Sequence, residues 1–133
     1  FDSVEELIKR MTRYASETIE GTPIEYDLNL PKNSTAFRLD NRTKYHLYLI
    51  FKESVNNAVK HSKATRIEID FQLNGRQFGF YVRDNGSGFD LKAPARGNGI
   101  HNLQSRAKEI GAAIFISASP GKGTLVELII QLT

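Results

Sequence analysis

The chain reads as an α+β protein, a two-layer α/β sandwich. A mixed, mainly antiparallel sheet of about five strands is expected to be covered on one face by about three helices. Three observations lead there. Apolar residues recur at helical spacing in three segments and alternate with polar ones in five others. Short glycine-containing turns join the later alternating segments, as in hairpins. And 133 residues at 40% hydrophobic and 25% charged content are enough for one core.

Ser3 followed by Glu6 forms a capping box, and Val4, Leu7, Ile8, Met11, Ala15 and Ile19 then repeat at helical spacing up to a stop at Gly21. Ile24, Tyr26, Leu28 and Leu30 alternate as a half-buried strand ending at Pro31. The segment 32–42 has no period and reads as a loop, with Asp40, Asn41 and Thr43 each able to cap the next helix. That helix covers Tyr45 to His61. Leu47, Phe51, Ser54, Val55 and Ala58 form its core face, while Glu53, Asn57, Lys60 and His61 gather on the neighbouring flank. Ile67, Ile69 and Phe71 alternate into an Asn74-Gly75 turn, and Phe78 to Val82 return. The segment 89–98 is polar, aperiodic and rich in Gly, Pro and Ala, and reads as a mobile loop. Ile100, Leu103, Ala107 and Ile110 mark a third helix, stopped by Gly111. Two strands, 113–119 and 124–131, close the chain around Pro120-Gly121-Lys122-Gly123.

Composition narrows the function. With no cysteine, disulfides and thiolate metal sites are excluded, and His46, His61 and His101 lack zinc-site spacing. A net charge of +3 without a Lys/Arg run gives no ground for nucleic acid as a partner. No apolar run approaches the ~20 residues of a membrane span, and no signal peptide opens the sequence. Because it begins with Phe, the chain is expected to be one domain, residues 1–133, cut from a longer protein.

Three glycine-rich spots sit at element boundaries. In Asp84-x-Gly86-x-Gly88, a carboxylate ends a strand, where burial makes it need donors, and the glycines let a planar ligand approach the backbone. A purine amine is a suitable donor; a plain turn begun by Asp uses the same residues. Gly97-Asn98-Gly99 precedes the third helix, whose free N–H groups and positive dipole end favour phosphate, although a hinge and cap look the same. Gly121-Lys122-Gly123-Thr124 is by itself a hairpin turn, with Lys122 equally suited to solvent.

The order of these motifs is more specific than any one of them. A helix with E-x-x-x-N-x-x-K-H is followed by D-x-G-x-G after a strand, G-x-G before a helix and G-x-G-T in the last hairpin. In this the sequence resembles the ATP-binding (Bergerat) domain shared by sensor histidine kinases, type II topoisomerases, Hsp90 chaperones and MutL repair proteins. It is most similar to sensor kinases of the NarX/DesK-like branch, through Glu53 to Ser62, Asp84 to Phe89, Gly97 to Ala107 and Ser119 to Thr124. The resemblance spans essentially the whole chain.

It implies a transferase domain that binds ATP and Mg²⁺. Asn57 would offer its side-chain oxygen to the metal, Asn56 being turned away by about 100°. Glu53 would lie close to the metal and its waters, and with Asn57 forms the implied catalytic pair. Asp84 would hold the adenine amine, with Gly86 and Gly88 shaping the base pocket and Thr124 assisting. Gly97 and Gly99 would bring N–H groups to the phosphates under a short lid, 89–98, and Lys60 and His61 would contact phosphate or cap their helix. The Phe-rich motif of many other histidine kinases is missing. No histidine here has the context of a phosphoacceptor, so the partner implied is a separate helical dimerisation domain, with a response regulator acting downstream. The domain would be cytoplasmic, touching neither membrane nor nucleic acid. The alternatives on the same fold are an ATP hydrolase, an anti-sigma-type serine kinase and a non-catalytic nucleotide sensor; His101 to Arg106 favours the histidine-kinase branch.

Overall fold

The computed structural model describes residues 2–32, 37–60, 63–88 and 99–132. Helix α1 (Val4–Glu20) begins where Ser3 Oγ accepts the Glu6 N–H at 3.1 Å, and it buries one stripe from Val4 to Ile19. Its end differs from the sequence expectation in detail. Gly21 has an ordinary φ of −77°, so the helix does not stop through glycine's left-handed freedom. Thr22 closes it instead, its N–H and hydroxyl both donating to the Ile19 carbonyl, at 2.9 and 2.7 Å.

Strand β2 (Glu25–Asn29) follows. The segment read as a loop contains a short strand, β3 (Arg38–Leu39), paired antiparallel with β1 (Asp2–Ser3). Two residues are too few to show a period, which is why the sequence hid this ladder. Helix α2 (Asn41–Lys60) takes Asp40, of the three candidates, as its cap: Asp40 Oδ1 accepts the Thr43 N–H at 2.7 Å. Hydrogen bonds from Thr43 hold the Asp40 carboxyl below its ordinary value.

Strands β4 (Arg66–Asn74) and β5 (Gln77–Asp84) form the expected hairpin, turning through Gly75 and Arg76. Helix α3 (Gly99–Glu109) then leads to β6 (Ala113–Ala118) and β7 (Thr124–Gln131). The five long strands make one sheet in the order β2-β4-β5-β7-β6. Its β2–β4 pair is parallel, the connection running through α2, and the other three pairs are antiparallel.

Alternation sends Ile67, Ile69, Phe71, Phe78, Phe80, Val82, Val126, Leu128 and Ile130 into the core. There α2 contributes Phe51, whose ring stacks on Phe71 at 5.5 Å and meets Phe80 edge-on at 5.4 Å. Burying each ring is worth roughly 1.5–3 kcal/mol. This packing fixes the rotation of α2 about its axis, and so decides where its polar flank points.

Candidate functional site

That flank borders a cavity of about 370 Å³ between α2, α3 and the ends of β5 and β7. Its polar groups fall into two clusters. In one, Glu53 and Asn57 lie a helical turn apart on α2 with Gly99 against them. A Cβ on Gly99 would stand 3.2 Å from Glu53 Oε1 and 3.7 Å from Asn57 Nδ2, so the start of α3 lies close against both side chains. In the other, Asp84 ends β5 directly opposite Thr124 at the start of β7. Val82, Ile100, Leu103, Ile116 and Val126 add an apolar lining suited to a flat, weakly polar group.

The Asp84 cluster is built by two interlocked turns. Asp84 Oδ1 accepts the Gly86 N–H at 2.8 Å, folding the chain back on itself, and the Ser87 carbonyl accepts the Gly121 N–H. Gly88 and Gly123 have φ of +64° and +77°. A Cβ on Gly88 would overlap the Ser119 carbonyl, and one on Gly123 would overlap the carbonyl of Asp84. Glycine is required at both by backbone conformation and by contact. Asp84 is 6% exposed. Burial pushes its carboxyl above the ordinary 3.8, opposed by hydrogen bonds from the backbone of Gly86 and Thr124. A carboxylate offers more lone pairs than these two donors fill, so one facing a cavity can accept a further donor there.

Of the residues singled out in the sequence, Glu53, Asn57, Asp84, Gly88, Gly99 and Thr124 all line this cavity. Gly86 lies just behind, buried, holding Asp84 through its N–H. Lys60 is exposed in the last turn of α2 and is not brought to the lining. His61, Gly97 and the lid segment 89–98 lie outside the described residues. Asn56 points elsewhere: its Oδ1 accepts the Tyr14 hydroxyl at 2.6 Å on the α1 side. His46 sits beside Arg106, with Nδ1 3.4 Å from the guanidinium, and neither it nor His101 lines the cavity.

Sequence reasoning missed the apolar lining, Ser54 and Ser87. Val82 and Val126 could have been found, each two residues from a site position on the same strand face. Buried Ser54 spends its hydroxyl on the Ile50 carbonyl at 2.8 Å.

The sequence model of the family described as histidine kinase-, DNA gyrase B-, and HSP90-like ATPase matches residues 43–133. The chain belongs to that family. The matched span covers every residue of the cavity. A sensor-like histidine kinase of Chloroflexus aurantiacus is 30% identical over 98% of this chain and 22% of its own length. The sensor histidine kinase LiaS of Bacillus subtilis is 27% identical over 89% of the chain and 32% of its own. The chain thus spans a third or less of the length of these curated relatives. Among solved structures, the histidine kinase domain of a blue-light-activated kinase from Erythrobacter litoralis superposes with a TM-score of 0.73. It is 21% identical and covers 95% of this chain and 65% of that one. The catalytic domain of histidine kinase ThkA superposes with a TM-score of 0.75 at 17% identity, covering 99% and 95%. At such identities these two show the fold, and the match extends it to α1 and β2, which lie before the family span. Among the described residues no helix is long and apolar enough to cross a membrane.

Proposed function

We propose that the cavity binds ATP with Mg²⁺, and that the chain is the cytoplasmic catalytic domain of a sensor histidine kinase of the NarX/DesK-like branch. It would donate the γ-phosphoryl group to a histidine on a separate helical dimerisation domain, for relay to a response regulator. The observation that carries this reading is the pairing of two unlike polar clusters within one partly apolar cavity. Asp84, buried and with lone pairs left for a further donor, suits the exocyclic amine of adenine, with Thr124 beside it and the Gly86–Gly88 turn shaping the base pocket. The bare backbone of Gly99 at the start of α3 suits phosphate oxygens, together with Gly97.

The residues present fit a magnesium ion. Mg²⁺ keeps most of its octahedron for water and phosphate and takes one or two protein oxygens. Asn57 would be that ligand, and Glu53, one turn away, would order the metal's waters. When bound, the ion neutralises charge developing on the transferred phosphoryl group. Lys60 and His61 would contact the outer phosphate or cap the end of their helix.

Calorimetry with a non-hydrolysable ATP analogue tests the metal half of this reading. Affinity is expected to fall when Mg²⁺ is chelated, and Asn57→Ala should abolish that metal dependence. A variant that keeps its full response to Mg²⁺ removes Asn57 from the site. With γ-labelled ATP, the isolated chain should label a separate dimerisation domain and none of its own histidines; self-labelling would contradict the split arrangement.

A further inference from the structure

Asn85 stands next to Asp84 in sequence but outside the cavity. Its side chain is exposed, yet it makes three hydrogen bonds to a single place in the chain. Asn85 Oδ1 accepts the backbone N–H groups of Thr65 at 2.9 Å and Arg66 at 3.0 Å, and Nδ2 donates to Thr65 Oγ1 at 2.9 Å. The Asn85 N–H adds a bond to the Arg66 carbonyl at 3.3 Å. The Thr65 carbonyl in turn accepts the Glu25 N–H at 3.0 Å, so the anchoring point is itself tied to β2.

We infer that Asn85 is a positioning residue for base recognition, fastening the strand end that carries Asp84 to the start of β4. This rests on the proposed adenine contact of Asp84. Asp84 Oδ1 is held by the N–H of Gly86, two residues on, so the carboxylate can only be as well placed as the backbone between them. Asn85 is that backbone, and its carboxamide is what fixes it from outside. A carboxylate held in one place accepts from the 6-amino group of adenine and repels the 6-oxo group of guanine. One that drifts discriminates less, because specificity here comes from the wrong base leaving a buried polar group unpaired.

The test is the ratio of GTP to ATP dissociation constants, measured by calorimetry on the whole chain. The wild-type chain should prefer ATP; no preference would overturn the adenine assignment itself and this inference with it. Given that preference, Asn85→Ala should lower the ratio by about tenfold, since small misplacements of a recognising group are costly. Asn85→Asp retains the oxygen acceptors, and the Thr65 hydroxyl can turn to donate, so the ratio should be largely restored. A folded variant that weakens both nucleotides in parallel and leaves the ratio alone overturns the inference. Should Asn85→Ala not fold, Thr65→Val decides. It leaves both backbone bonds and should lower the ratio by roughly two- to threefold; an unchanged ratio counts against the role of Asn85.

Discussion

Two hairpins of the same sheet turn on glycine, at Gly75 between β4 and β5 and at Gly121 and Gly123 between β6 and β7. Their sequences carry similar signals. Gly75 has φ of +61°, but a Cβ there would meet nothing within 4 Å, so the glycine serves chain reversal alone. Gly123 combines φ of +77° with backbone contact to Asp84, and its carbonyl lies 2.9 Å from where a Cβ of Gly88 would be. The first turn contributes nothing to the cavity lining, and its Arg76 makes contacts to Leu132 and Phe37 instead. The second is packed into the loop that carries the site, so its conformation and that of Asp84 are set together.

Substitution should separate the two turns. The largest effect is expected from Gly123→Ala or Gly88→Ala, where strain and backbone overlap coincide. Thermal melts should show destabilisation of at least about 3 kcal/mol or failure to fold, since neither contact partner is a side chain that can swing away. Gly75→Ala should cost only about 1 kcal/mol of strain and leave the affinity for an ATP analogue unchanged. Equal losses at the two turns would contradict the distinction.

A middle-sized and oppositely signed effect is expected at Asp84. Asp84→Asn keeps an oxygen for the Gly86 N–H and removes a buried charge, so the melting temperature should rise by roughly 2–5 °C while nucleotide affinity drops. The sign follows from linkage. The folded carboxyl lies above its ordinary 3.8, so the folded state holds the proton more tightly and stability is lost as pH rises through that raised value. Below about 3.8 both forms are neutral in either state, so the gain from Asp84→Asn should shrink on acidification. A gain that grows instead would contradict the burial argument. The smallest effect belongs to Asp40→Ala, which lies outside the cavity lining: loss of the α2 cap should cost about 1 kcal/mol in chemical denaturation with nucleotide affinity held.

Legibility in the sequence followed the length scale of the signal. Helical spacing from Val4 to Ile19 and alternation through Ile67, Ile69 and Phe71 are long patterns, and the elements they mark are present with ends shifted by a few residues. The β1–β3 ladder, two residues a side, carries no period and was invisible. So was the parallel pairing of β2 with β4, because alternation says which face a residue takes and not which strand lies beside it. At the site, Glu53 and Asn57 were legible as neighbours because a helix fixes them. Helical geometry also set Lys60 on their flank, but it could not say that Lys60 is absent from the described lining of the cavity. The placement of Gly99 and Glu53 on one cavity and the anchoring of Asn85 at Thr65 are tertiary facts with no local signature.

Where a nucleotide sits in the cavity decides between these roles most directly. A crystal structure of the chain with a non-hydrolysable ATP analogue and Mg²⁺ should show the adenine amine within hydrogen-bonding distance of the Asp84 carboxylate, the base against Val82 and Val126, and the metal on the Asn57 side-chain oxygen. A base bound away from Asp84, or a metal held without Asn57, would contradict it.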